Sequence, residues 1–169
     1  YYPNTKSSIN ENHLDYFRFF GLIIALSIIH DASIHIYFSS FFIKHILRLP
    51  NVDDDLIDYD QYVYHSFQYM KNHDVDNISI FFETTINTAE GPKSFELIQN
   101  GSDIKITNEN KYQYFNLMID FLLSKSINDQ TRSFCECFDL LIPHEIIEGI
   151  STDELNNMIY GSEKIDIEM

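Results

Sequence analysis

Basic residues are scarce in this chain of 169 residues. Lys and Arg together number 11 against 26 Asp and Glu, which gives a formal net charge of −15 at pH 7. An acidic chain is a poor match for a phosphate backbone and is repelled by anionic membrane surfaces, so we expect no nucleic-acid partner and no membrane partner. A basic protein is the favoured partner, because opposite charges accelerate encounter.

Cysteines and long apolar runs are also few. Cys135 and Cys137 are the two cysteines and cannot build a disulfide framework, which favours a reduced, intracellular setting. The longest uncharged run extends from Phe19 to Ile29, well short of the roughly 20 residues that a bilayer-spanning helix needs. The first residues do not have the form of a signal peptide. We therefore expect a cytoplasmic protein, with the nucleus as the alternative location.

Patterns typical of catalytic and metal sites are missing as well. There is no Gly-rich phosphate loop, no Ser-His-Asp order and no paired-carboxylate motif. His30 and His35 are five residues apart, which does not place two ligands on one helix face. The Cys135-x-Cys137 pair lacks the second pair that a zinc site needs. The acidic stretch from Asp53 lacks the glycine and glutamate of a calcium loop. We expect no metal and no cofactor.

Hydrophobic periodicity predicts an α+β fold that is mainly α. Long helices are predicted at 13–29, 38–49, 109–125 and 130–142, and a short helix is predicted between a Ser151-x-x-Glu154 capping box and Gly161. A strand is predicted at 78–82 and a return strand at 94–98, with turns at 90–92 and 100–101. The predicted organisation is a helical body formed by 1–50 and 119–169, with a small α/β subdomain at 51–118.

The termini suggest a larger parent. The chain begins with Tyr1 rather than methionine, and it ends at Met169 without an evident terminus. We expect it to be part of a longer protein.

An apolar face of the small subdomain carries most of the binding information. Its members recur at helical spacing in a further helical pattern at 62–70 and in the predicted helix 109–125, and at strand spacing between them. They are Val63, Phe67, Met70, Ile78, Ile80, Tyr114 and Met118. One interpretation is that these residues form the core of the subdomain. The other is a protein-binding groove, since surfaces rich in Met and aromatic residues adapt to partners.

Seven short strings, in order and at the right spacing, resemble the N-terminal lobe of HECT-type ubiquitin ligases over essentially the whole chain. They are Tyr16–Gly21 (similar to YFxFxG), Tyr64–Phe67 (YxSL), Ile106–Lys111 (VTNENK), Ser124–Gln130 (NKSIEEQ), Phe138–Pro143, Glu154–Gly161 and Ile165–Asp166.

The resemblance implies a function in ubiquitin transfer. In this family the N-terminal lobe docks a ubiquitin-conjugating enzyme, and a cysteine on a separate C-terminal lobe accepts ubiquitin before it passes to a substrate lysine. Neither Cys135 nor Cys137 matches that cysteine, so we expect no catalytic residue in this chain and no transfer by it alone. Substrates would be bound by regions that are not in this sequence.

The resemblance also assigns site residues. The conjugating-enzyme groove maps onto Val63, Ser66, Phe67, Met70, Ile78, Ile80, Tyr114 and Met118, with His73 and Asp76 on its rim. Some members also hold a ubiquitin on the back of this lobe, and Phe134 falls at the position of one aromatic residue in that site. Core packing is the alternative role for Phe134.

Two other functions stay open. The chain could be a non-catalytic protein-binding module from a degenerate HECT protein. It could also be an acidic structural domain with no role in ubiquitin transfer.

Overall fold

The computed structural model describes residues 1–161 and contains mainly helices with one small sheet, as the α+β prediction requires. The elements, in chain order, are α1 (His13–Ile29), α2 (Ser40–Ile46), α3 (Leu56–Tyr59), α4 (Gln61–Asn72), β1 (Glu83–Thr88), β2 (Gly91–Glu96), α5 (Lys111–Leu123), α6 (Asn128–Asp139), α7 (His144–Ile147) and α8 (Thr152–Tyr160). Single 3₁₀ turns occur at Ser7–Ile9, Asp53–Asp55, Gly101–Asp103 and Lys125–Ile127. None of the helices between residues 1 and 161 combines the length and apolarity that a membrane crossing requires.

The chain divides into two compact units. Unit 1 comprises Tyr1–Tyr2, Leu14–Leu49 and the chain from Asp129 onward; unit 2 comprises Pro3–His13 and Pro50–Asn128. The proposed role of 51–118 as a docking subdomain stays a prediction.

Unit 1 is organised around phenylalanine rings. Phe38, Phe42 and Phe134 are at most 3% exposed, and the ring centroids of Phe42 and Phe134 are 5.1 Å apart in an edge-on arrangement. Gly21 lets α1 approach α6 closely, because a Cβ atom there would lie 2.2 Å from the carbonyl oxygen of Phe134. This contact gives the glycine of the Tyr16–Gly21 string a packing role.

A buried asparagine joins two distant parts of unit 1. The Asn156 side chain of α8 accepts from the Phe38 N–H at 3.0 Å and donates to the Phe38 carbonyl at 2.9 Å. Asn156 is 1% exposed. It therefore satisfies both main-chain polar groups of a buried residue that belongs to no regular element.

Unit 2 contains the hairpin and the two helices that carry the predicted groove. Strands β1 and β2 pair antiparallel from Glu83 opposite Glu96 to Thr88 opposite Gly91. The Asp60 side chain caps α4 by accepting from the N–H groups of Tyr62 and Val63, as Asp prefers at this position.

One strand prediction was wrong, and the return strand is present with shifted bounds. Residues 78–82 form no regular strand, and β1 begins one residue later, at Glu83. The N–H of Phe82 lies 3.0 Å from the Gly101 carbonyl and 3.1 Å from that of Ile104, and Phe81 forms only an isolated antiparallel bridge with Lys105, so this stretch builds no continuous ladder. The return strand begins at Gly91, three residues earlier than predicted.

Local signals for turns and caps were more accurate than strand periodicity. The Ser151 and Glu154 side chains form the predicted capping box of α8, and Gly161 ends this helix with a φ of 90°. The predicted helices 109–125 and 130–142 are shorter or shifted, since α5 begins at Lys111 and α6 ends at Asp139.

Candidate conjugating-enzyme docking face

The predicted groove residues all lie in unit 2, and we refer to them as the docking face: Val63, Ser66, Phe67, Met70, His73, Ile78, Ile80, Tyr114 and Met118. The structure divides them into two groups by exposure. One group is buried and belongs to α4 and α5; the other is half-buried or exposed.

The buried group forms core between α4 and α5. Phe67, Met70, Tyr114 and Met118 are between 3% and 7% exposed. The rings of Phe67 and Tyr114 have centroids 6.1 Å apart, and Phe82 meets Tyr114 edge-on at 5.6 Å. Burial raises the pKa of the Tyr114 phenol to about 12, because the charged form loses its hydration. The interpretation of these residues as core accounts for this half of the docking face.

The other group leaves apolar surface accessible. Val63, Ile78 and Ile80 are half-buried, while Ser66 and His73 are exposed. Half-buried aliphatic side chains bordered by polar groups resemble the arrangement of a protein interface.

His73 has a defined orientation at the end of α4. Its ring stacks on that of Tyr69 with centroids 4.0 Å apart, and its Nδ1 lies 2.8 Å from the Tyr69 carbonyl oxygen. Since a carbonyl oxygen only accepts hydrogen bonds, this contact requires the proton on Nδ1.

The segment between His73 and Ile78 is irregular and is held by polar groups. Asp76, the second predicted rim residue, accepts the Asn108 N–H at 2.8 Å through its carboxylate. The neighbouring Asp74 carboxylate accepts from the Asp76 N–H and from the Asn108 side chain, and these two hydrogen bonds lower the Asp74 pKa. The rim is therefore anchored to the Ile106–Lys111 string.

Lys111 was not predicted as a site residue, although it belongs to that string. It is only 8% exposed and contacts the end of α4 through its ammonium group. The available signal was its spacing, because Lys111 precedes Tyr114 by three positions and Met118 by seven and so lies on their apolar face. A lysine at such a position needs buried partners.

The acidic stretch that begins at Asp53 has structural partners. Asp53 pairs with Lys71 of α4, and the hydrogen bond from Lys71 is the largest cause of a lowered Asp53 pKa. Burial acts in the opposite direction but does not outweigh it. Asp55 accepts the Val52 N–H at 2.7 Å. Among residues 1–161, no group of three or more His, Cys, Asp or Glu side chains could hold a metal ion.

A separate groove of about 390 Å³ lies in unit 2, and Asp53, Lys71, Tyr112 and Asp120 are among its lining residues. It shares no residue with the docking face.

The cysteines and Phe134 lie in α6 of unit 1. Burial, with additional contributions from the Asp139 and Glu136 charges, raises the pKa of the Cys135 thiol to about 12, which suppresses the reactive thiolate. Phe134 is 0% exposed and contacts other aromatic rings. Its packing role accounts for its position, and the ubiquitin contact stays a prediction.

Comparison with known proteins indicates the same family as the motifs. The model of the HECT-domain (ubiquitin-transferase) family matches residues 1–169. A TOM1-like E3 ubiquitin-protein ligase of Neurospora crassa is 34% identical over 169 residues, which cover 99% of this chain and 4% of the relative. The E3 ubiquitin-protein ligase RSP5 of Chaetomium thermophilum is 34% identical over 98% of this chain and 20% of its own length.

A third relative gives a similar match. The E3 ubiquitin-protein ligase HACE1 of Xenopus tropicalis is 30% identical over 98% of this chain and 18% of its own length. The chain thus spans a fifth or less of each of these relatives. The family match extends from the first residue to the last, and this chain belongs to the HECT-domain family.

Proposed function

We propose that this chain is the conjugating-enzyme docking lobe of a HECT-type ubiquitin ligase. The observation that carries the proposal is the exposure pattern of the docking face in a chain of this family. Val63, Ile78 and Ile80 keep accessible apolar surface and the polar Ser66 and His73 are exposed, while the other members of the docking face are buried. An aromatic or aliphatic anchor of a partner would bury that surface.

The lobe would act by holding the thioester donor in place. In the proposed reaction, a ligase thiolate attacks the thioester carbonyl of the charged conjugating enzyme, and the conjugating-enzyme thiol leaves. A substrate lysine amine then attacks the new thioester and releases the ligase thiol. The attacking cysteine would lie outside this chain, since neither Cys135 nor Cys137 matches the catalytic cysteine of the family, and burial raises the pKa of the Cys135 thiol to about 12. The contribution of this lobe is proximity.

Charge would assist the encounter. The chain carries a formal net charge of −15, so a basic surface on the conjugating enzyme would be attracted to it. Such steering accelerates association more than it deepens affinity and weakens as salt increases. We expect the association rate to fall between low and physiological ionic strength.

The test is a binding titration of the full-length protein against a panel of ubiquitin-conjugating enzymes. Ile80→Asp places a charge on the accessible half of the docking face, and we expect its Kd to rise at least about tenfold, or about 1.4 kcal/mol. Ile57→Asp is the matched control, because Ile57 is 43% exposed and belongs to unit 2 but not to the docking face.

Two results would contradict the proposal. Equal Kd values for Ile80→Asp and Ile57→Asp would place docking elsewhere. A folded wild-type protein that binds no enzyme of the panel would favour the non-catalytic module. Circular dichroism on each variant separates lost binding from lost structure.

A further inference from the structure

The segment that follows α4 is held by side chains from a distant string of the sequence. Residues 73–78 form no helix or strand, yet Val75 within them is 1% exposed. Residues 105–111, which lie about thirty positions later in the chain, hydrogen-bond to the His73 carbonyl, the Val75 N–H, the Asp76 carbonyl and the Asp76 carboxylate. We call this set of contacts the clasp, and its members are Lys105, Asn108 and Lys111 with their partners at 70–76.

Lys111 makes the most extensive of these contacts. Its ammonium donates to the carbonyl oxygens of Met70 at 3.0 Å, Lys71 at 3.2 Å and His73 at 3.0 Å. The last carbonyls of a helix have no intrahelical partner, and a cation at this end also interacts favourably with the helix dipole. All three N–H groups of the ammonium are thereby used. Lys111 therefore defines where α4 ends and in which direction the chain leaves it.

Asn108 continues the clasp into the irregular segment. Its side-chain oxygen accepts the Val75 N–H at 3.2 Å, and its side-chain amide donates to the Asp74 carboxylate at 3.0 Å. Its own main-chain N–H donates to the Asp76 carboxylate at 2.8 Å. One asparagine thus binds three consecutive residues of the segment.

The two ends of the clasp also place the apolar part of the docking face. The Lys105 ammonium donates to the Asp76 carbonyl at 2.6 Å, and the Ile106 N–H donates to the Ile80 carbonyl at 2.8 Å. Ile78, between these two contacts, donates its N–H to the Val75 carbonyl at 3.0 Å. His73 and Ile80 thus contact residues 105–111 directly, and Ile78 lies in the stretch between them.

We propose that Lys111 and Asn108 are positioning residues for docking, which hold residues 73–80 in the one conformation that presents His73, Ile78 and Ile80 to the conjugating enzyme. This inference rests on the proposed function. A segment without regular hydrogen bonding samples many conformations when its side-chain partners are removed. A partner would then bind only the competent fraction, and the apparent Kd would rise as that fraction falls.

The experiment uses Lys111→Met in the full-length protein, because Met keeps the apolar stem and removes the ammonium. We expect the Kd for the conjugating enzyme to rise at least tenfold. The KM for the ubiquitin-charged enzyme should rise by a similar factor, while kcat at saturation stays within about twofold. Lys111→Arg, which keeps a cation with several donors, should recover part of the affinity.

Two further variants separate positioning from stability. Ile119→Ala in the same helix removes a side chain that is 8% exposed and makes none of the hydrogen bonds of the clasp. Urea unfolding measures its stability beside that of Lys111→Met. Asn108→Ala removes the side-chain contacts of the clasp with Val75 and Asp74 and serves if Lys111→Met does not fold. Hydrogen exchange at the Val75 and Asp76 amides should accelerate in both clasp variants and not in Ile119→Ala.

The outcomes distinguish the inference from the function on which it rests. Weakened docking by the clasp variants, beyond that of Ile119→Ala at comparable stability, supports positioning. If Ile80→Asp weakens docking but both clasp variants bind as wild type, the clasp has no role in docking and the inference fails. If Ile80→Asp itself leaves docking unchanged, the docking face is wrong and the inference fails with it, even where exchange accelerates.

Discussion

Units 1 and 2 use different means to order chain that lies outside helices and strands. In unit 1 the irregular Phe38 is enclosed by aromatic rings, and a single buried side chain, Asn156, satisfies its main chain. In unit 2 the irregular segment 73–78 is held mainly by Lys111 and Asn108, and apolar residues beside it stay half-exposed. Packing encloses a segment, whereas a polar clasp orders one and leaves its side chains available to a partner.

The largest expected effect breaks the aromatic core of unit 1. Phe134→Ala should lower the free energy of unfolding by about 3–5 kcal/mol, because it leaves a cavity among rings that cannot all collapse into it. Phe121→Ala in unit 2 should cost less, since Phe121 is only half-buried where it contacts Phe95. Urea unfolding followed by circular dichroism measures both. Equal losses of unfolding free energy in the two variants would contradict the difference in burial between Phe134 of unit 1 and Phe121 of unit 2.

A smaller effect is expected when the Asn156 side chain, which bonds to the main chain of Phe38 in unit 1, is removed. Asn156→Ala leaves the buried N–H and carbonyl of Phe38 without partners, and each such group costs about 1–3 kcal/mol. We expect a loss of about 2–4 kcal/mol in the free energy of unfolding. Asn157→Ala is the matched control, because Asn157 is the next residue of α8 and is exposed; it should stay within about 0.5 kcal/mol of wild type.

Signals that act within a few residues predicted the fold well. The bounds of α1, the Ser151–Glu154 capping box and the C-terminal Gly161 all agree with the structure. Each depends on side chains that meet within one or two helical turns. The predicted strand at 78–82 was wrong because the Phe82 N–H donates to Gly101 and Ile104, and Phe81 forms only an isolated bridge with Lys105. Alternating residues cannot reveal whether the partner will be a strand or a loop.

The candidate site was predictable only where its residues follow a local spacing pattern. Helical spacing identified Phe67, Met70, Tyr114 and Met118, and the structure buries all four. Spacing places Lys111 on the same apolar face but could not reveal its role, because that role depends on three carbonyls that lie 38 to 41 positions earlier in the chain.

The smallest expected effect concerns the buried layer of the docking face. The Tyr114 pKa is about 12 in the folded protein and about 10 when the chain is unfolded. Since the folded pKa is the higher one, the stabilising contribution is complete below pH 10 and is lost as pH rises towards 12. Linkage gives a loss of about 1.4 kcal/mol at pH 11 relative to pH 9.

Tyr114→Phe isolates this effect, because every other group titrates in both proteins. The difference in unfolding free energy between wild type and variant should change by about 1.4 kcal/mol from pH 9 to pH 11. The difference in phenolate absorbance between wild type and Tyr114→Phe should show that Tyr114 ionises near pH 12. A Tyr114 that ionises near pH 10 would mean that water reaches the buried group of the docking face. In that case the core between α4 and α5 would be open to solvent at Tyr114. Unit 2 would then differ from the enclosed rings of unit 1 in these two helices as well as in the irregular segment 73–78.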